Sequence, residues 1–260
     1  MTISVRRPTV QSNADNAQSS RPPFSSVDCE GTYRSHLQGI CTNEVDAIYW
    51  SFTRTLVKTD RDGNVRTKVE VPRHYGDLCF CDGAIHVAVN FGRFNDPEGN
   101  ADNWVYVHDA DDLKLLSKHE SSEVFYGAGG VACHNSKFIV IGGLPEGVEE
   151  NYIYEYDKDY KLANKHVLNS GYTRLGIQTA TFAAGLWWFG CYGSKLLTAD
   201  ESFNLIGKYD FDCALGVVGI SGGTFLIGRG GGEGHQRTGK ALLADVDEEA
   251  GLTIRSVAKL

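Results

Sequence analysis

One short pattern recurs five times along this chain, and nothing else constrains its fold as strongly. A small, glycine-containing segment leads into an apolar run as His36-Leu37-Gln38-Gly39-Ile40 and again as His74-Tyr75-Gly76-Asp77-Leu78. It returns as Gly127-Ala128-Gly129-Gly130-Val131, Gly176-Ile177-Gln178-Thr179-Ala180 and Gly216-Val217-Val218-Gly219-Ile220. A second mark is an aspartate closing an apolar run: Asp60, Asp109, Asp157, Asp200 and Asp245, at spacings of 49, 48, 43 and 45 residues. A self-similar period of this length means that each unit completes its core only against its neighbours.

Four strand-like runs are read in each unit from alternation, β-branching and turn residues. In the first unit they fall near 37–42, 46–53, 55–59 and 65–71; in the third, near 130–133, 138–141, 152–156 and 160–167. No stretch carries a helical period. The pattern predicts an all-β fold, a five-bladed β-propeller with four antiparallel strands per blade. All five units read as complete in order, so no strand need be borrowed from the other terminus to close the ring. Residues 1–28, rich in Ser, Asn, Gln and Arg with Pro22-Pro23, are expected to form a disordered or draped tail. Residues 29–260 are expected to form one propeller domain, a size that needs no metal or disulfide to hold it together.

A net charge of −8 disfavours a nucleic-acid partner, which selects clustered Lys and Arg. No run approaches the roughly 18 apolar residues of a membrane span, so no membrane partner is expected. Seven cysteines are an odd number without a paired framework, and Cys79-Phe80-Cys81 matches neither a zinc ribbon nor a Cys-x-x-Cys redox motif. Buried structural thiols and a cytoplasmic location are the expectation. Oligomeric state is not legible.

In a propeller blade, the second-to-third strand loops share a face with the connections between blades. Here that face carries the long irregular loops, near 91–103, 142–150 and 229–239, and the recurring inner segments begin there. The expected funnel mouth therefore gathers His36 and His74, at equivalent positions of neighbouring blades, with Tyr192 and Glu149 as further catalytic candidates. Gln38, Asn90, Gln178, Arg174, Arg229 and His235 are the candidates for holding substrate. Paired histidines in a concave polar site suit acid–base work or, with Asp77, one divalent metal ion. Structural roles for the same His and Gln side chains around a wet channel remain open. Gly234–Lys240 matches a Gly-x4-Gly-Lys string, but Ala241 stands where a phosphate loop needs Ser or Thr, and a strand follows instead of a helix, so no nucleotide cofactor is expected.

His36-Leu37-Gln38-Gly39-Ile40 is similar to the aromatic-Thr-Gln-Gly-Leu opening of propeller-type glutaminyl cyclases, and Ala128-Gly129-Gly130-Val131 to a later Gly-Trp-Gly-Leu segment of theirs. The chain thus resembles the propeller group that also includes gluconolactonase-like lactonases and streptogramin-type lyases. The resemblance implies the fold; the cyclases' Asn-Glu-Leu-Glu segment has no counterpart, so none of their catalytic residues carries over. The function expected is that of a soluble hydrolase or lyase acting on a small polar, anionic or carbohydrate-like molecule in the funnel. The alternative is a non-catalytic propeller that binds a small ligand or a protein partner.

Overall fold

The computed structural model describes residues 25–255, which form 21 strands and no helix. A short first strand, β1 (Ser26–Asp28), precedes five antiparallel sheets; four have four strands, and the last has five because β1 joins it. Blade 1 comprises β2 (Leu37–Thr42), β3 (Ala47–Phe52), β4 (Thr55–Asp60) and β5 (Val65–Glu70). Blade 2 comprises β6 (Tyr75–Cys81), β7 (Ala84–Asn90), β8 (Asn103–Asp109) and β9 (Leu115–Glu120). Blade 3 comprises β10 (Ala128–His134), β11 (Lys137–Gly142), β12 (Asn151–Tyr156) and β13 (Leu162–Leu168). Blade 4 comprises β14 (Ile177–Ala183), β15 (Leu186–Cys191), β16 (Lys195–Ala199) and β17 (Leu205–Tyr209). Blade 5 comprises β18 (Val217–Ile220), β19 (Thr224–Gly231), β20 (Thr238–Asp247) and β21 (Gly251–Ile254). The first strands of the blades pack side by side in a closed ring, β2 on β6, β10, β14, β18 and back to β2. This is a five-bladed β-propeller.

The period-2 geometry of a strand explains the burial. In β3, every residue is buried because Ile48, Trp50 and Phe52 face blade 5 while Ala47 and Tyr49 face blade 2. Five hydrophobic clusters result, one at each blade–blade boundary. Outer strands alternate instead: Val65 to Glu70 of β5 switches between half-buried and exposed at every residue. Four of the recurring aspartates begin the turn between third and fourth strands, where one carboxylate oxygen accepts backbone N–H groups further along the turn. Asp60 does so from Asp62 and Asn64, and Asp200 from Ser202 and Asn204. In blade 5 the residue in that role is Asp247, which accepts from Glu249 and Ala250. Asp245, two residues earlier and still within β20, instead forms a bidentate pair with Arg255.

All five blades are complete in order, as expected, but blade 5 gains a fifth strand from the segment before blade 1. β20 is long enough to carry both β1 and β21 on one edge: Ser26–Asp28 pair with Leu242 to Lys240, and β21 pairs with Ala244 to Asp247. The two meet at Leu243, whose N–H donates to Ser25 O and whose C=O accepts from Arg255 N–H, both at 2.9 Å. Val27, Cys29 and Tyr33 then fill the boundary between blades 5 and 1. Gly63 belongs to this closure, because it lies at φ +90° and a Cβ there would sit 1.9 Å from Asp28 O. The expected tail therefore ends before residue 26, and its residues 1–24 lie outside those described.

Candidate functional site

Four inner strands share one irregularity. β2 carries an extra residue at Gln38, β6 at Gly76 and Asp77, β10 at Gly129 and β14 at Gln178. A bulge locally reverses the in–out alternation and re-aims the side chain it carries. Here the bulges stand around the axis, beside the mouth formed by the loop 91–102, the loop 143–150 and the connections between blades.

A pocket of about 170 Å³ opens there, lined by His36, Gln38, His74, Phe94, Gln178 and Tyr192 with the backbone of Gly76, Ala128, Gly129 and Leu175. Five residues singled out from sequence thus meet in one cavity. Gln38 Nε2 donates to His36 Nε2 at 3.0 Å and to Thr53 Oγ1 at 3.1 Å, which leaves the imidazole proton on Nδ1. Among the described residues, no hydrogen bond ties down the His74 ring. Gln178 donates from Nε2 to Leu175 O at 2.6 Å.

Electrostatics tune these groups. Partial burial lowers the pKa of His36, and the Arg237 charge lowers it further. Burial lowers that of His74 too, followed by the influence of His36, Arg73 and Arg54. Both imidazoles are held toward the neutral form, able to accept a proton. Tyr192 is pushed up by burial and by Asp212, against a smaller opposing effect of Arg174, so its phenol stays protonated. The charges of Arg54, Arg73, Arg174 and Arg237 thus act on the pocket's titratable groups in a chain whose net charge is −8, although none of the four lines the pocket itself. Of these, sequence reading found only Arg174. Arg54 and Arg73 sit in short connections of blade 1, and Arg237 in the β19–β20 hairpin, where no motif marks them.

Several candidates stand elsewhere. Asn90 is buried, and its Oδ1 accepts the N–H groups of Gly92 and Asp102, pinning the base of the 91–102 loop. Glu149 is exposed and accepts the Tyr172 N–H at 3.0 Å. Arg229 belongs to β19, with its guanidinium 5.8 Å over the Phe211 ring and bonded to Gly228 O. His235 is exposed and donates from Nδ1 to Arg34 O at 3.2 Å.

The metal set of His36, His74 and Asp77 does not assemble. Asp77 is 1 % exposed and lies deeper on the axis, where Oδ2 accepts the Ala180 N–H at 3.2 Å from across the ring. Its bulge sends it below the pocket, against Gly39, where any Cβ would fall 2.1 Å from Asp77 Oδ1. Among the described residues, no three His, Cys, Asp or Glu side chains come together to hold a metal ion. Nor, among them, is any helix long and apolar enough to cross a membrane.

Comparison with known proteins finds no matching family and no matching curated relative. Among solved structures, glutaminyl cyclase from Myxococcus xanthus is similar with a TM-score of 0.60, at 13% identity over 86% of this chain and 96% of that one. A luciferin-regenerating enzyme aligns over 89% of this chain and 99% of its own at 14% identity, with a TM-score of 0.47. At such identities, the likeness to the cyclase concerns the fold, and function has to be argued from the site.

Proposed function

We propose that this propeller is an enzyme that binds a small anionic molecule in the funnel and performs hydrolysis or elimination on it by acid–base catalysis. The observation that carries the reading is the pair of imidazoles from adjacent blades that line one small cavity, both held toward the neutral form by burial and by the charges of Arg237, Arg73 and Arg54. The cavity is below the roughly 300 Å³ at which ordinary ligand sites begin, which favours a compact substrate such as a short carboxylic acid, a phosphate ester or a uronate-like sugar. His74, its ring not engaged by any described residue, is the general base that takes a proton from water or from a carbon beside the substrate's acid group. His36, oriented by Gln38, accepts or relays a second proton, and the protonated Tyr192 hydroxyl donates to the leaving group. Arg54, Arg73 and Arg237 hold the anion, and Gln178 supplies an acceptor for a substrate hydroxyl.

The test combines thermal shift against small carboxylates, phosphate and uronates with turnover of esters, lactones and unsaturation-prone uronates. A stabilising anion whose effect is lost in Arg73→Ala, with turnover lost in His74→Ala, is the expected result. Ligand binding without turnover of any panel member would replace catalysis by simple binding. No shift with any anion would remove the anionic substrate class.

A further inference from the structure

The far end of the axis has a different chemistry. A pocket of about 310 Å³ opens at the ends of the inner strands away from the histidines, walled by Cys41 of β2, Cys79 of β6 and Cys133 of β10 together with Phe80, Phe182 and Val218. Cys81 lies two residues beyond Cys79 on β6 and its Sγ is 2.6 Å from Cys133 Sγ. Four of the seven thiols therefore crowd three consecutive inner strands. Cys79, Cys81 and Cys133 are only half-buried, unlike Cys29, Cys41, Cys191 and Cys213, which the interior encloses. This departs from the expectation of uniformly buried thiols.

We propose that Cys81 and Cys133 form a reversible dithiol–disulfide site that exchanges with small-molecule disulfides at the end of the propeller away from the histidines. Three observations support it. The sulfurs come from two different blades yet are already closer than thiols in ordinary contact. Both strands are held in register by their own sheets, so bond formation calls for little chain movement. No third ligating side chain joins them into a metal group among the described residues, which sets redox chemistry ahead of metal capture. Either sulfur can donate across this contact; with Cys133 donating, the Cys81 pKa is lowered and that of Cys133 raised, and this assigns Cys81 as the attacking thiolate.

The exchange runs in two displacements. The Cys81 thiolate attacks one sulfur of a small disulfide RSSR, forming a mixed disulfide and releasing one thiolate, which takes up a proton. Cys133 loses its proton and attacks the Cys81 sulfur, closing the Cys81–Cys133 bond and releasing the second thiol. Two protein thiols are oxidised and one RSSR is reduced to two RSH. The bond closes a loop of 52 residues between blades 2 and 3.

The experiment is titration of the full chain with mixtures of oxidised and reduced glutathione, read by intact mass after alkylation and by peptide mapping. The expected product has lost two hydrogens, carries a peptide pair joined at Cys81 and Cys133, reverts with excess reduced glutathione, and melts roughly 5–10 °C higher than the reduced form. In Cys133→Ser the attacking thiol lacks its partner and keeps one glutathionyl group at position 81. In Cys81→Ser neither adduct nor cross-link forms at Cys133. A chain that alkylates fully at both positions in every mixture overturns the proposal, as does a cross-link joining any other pair. A circular dichroism spectrum for each variant separates lost chemistry from lost fold.

Discussion

Replacing Asp77 by asparagine gives the most direct reading of how the channel axis is held together. The carboxyl is buried at the centre of the ring, Oδ2 accepts the Ala180 N–H, the Leu78 N–H also acts on the carboxylate, and Oδ1 has no partner among the described residues. Desolvation outweighs the two hydrogen bonds and raises the pKa well above its ordinary value. Below about pH 4 the group is protonated in both folded and unfolded chains and contributes no slope. Above that point the unfolded chain releases the proton and the folded chain retains it, so rising pH favours unfolding. Stability should fall by about 1.4 kcal/mol per pH unit until the buried group itself titrates, after which the contribution is flat. The amide of the Asp77→Asn variant keeps an acceptor for the Ala180 N–H and has no proton to lose. Urea unfolding of both proteins at half-unit steps from pH 4 to 8 isolates this effect, because every other titrating group cancels in the difference. The wild-type urea midpoint should drop relative to Asp77→Asn by roughly 0.5–1 M per pH unit in the sloping region. A constant difference across the range, or a wild type that gains on the variant as pH rises, would refute a proton-retaining Asp77.

Further outcomes follow from the same geometry. By NMR, the imidazoles of His36 and His74 should titrate below the ordinary histidine value of about 6.5, and Arg73→Ala should move His74 upward with a smaller effect on His36; an unmoved His74 would remove Arg73 from its surroundings. Because these two pKa values are lowered on folding, their contribution to stability is intact above about pH 6.5 and is lost as pH falls through the folded values. Val27→Ala, in the strand that closes the ring, should cost about 2 kcal/mol and lower Tm by roughly 4–8 °C, whereas Leu116→Ala on an outer strand, 60% exposed, should stay within about 0.5 kcal/mol. Gly39→Ala should cost about 3 kcal/mol or more in urea unfolding, since its Cβ would press on the Asp77 backbone as well as its carboxyl.

The blade count was legible because every unit meets the same packing demands with a narrow inner strand of small residues, two strands buried on both faces, and an outer strand that alternates. Ring closure was not. β1 presents a single buried apolar residue, Val27, between Ser26 and Asp28, and a three-residue strand has no periodicity to detect. What places it is the unpaired edge of β20, which only the assembled sheet reveals. The fifth turn was misassigned for a related reason. Asp245 and Asp247 flank Val246 on the same side of one strand, so spacing alone allows either, and the position of Arg255 decides which one caps the turn.

The site was half legible, and the dividing line is the bulge. Inner-strand position and face are enough to bring His36 and His74 to the mouth, because those residues precede their strands. Gln38, Asp77 and Gln178 lie inside the strands, where one inserted residue decides the side-chain direction. For Gln38 and Gln178 the bulge points the amides into the pocket. In β6 it spans Gly76 and Asp77, so glycine takes the pocket wall and the carboxyl drops to the axis below. Three residues that look like a metal triad on paper are thereby split between two levels of the channel. The arginines escaped for the opposite reason: Arg54, Arg73 and Arg237 stand in connections with no pattern of their own, and only the folded chain brings their charges to bear on His36 and His74. Their positive charges act on this pocket in a chain of net charge −8, and such local charge favours an anion at short range. An anion would then meet His74 with the imidazole still neutral, and its own charge would raise that imidazole's proton affinity at the moment a base is needed.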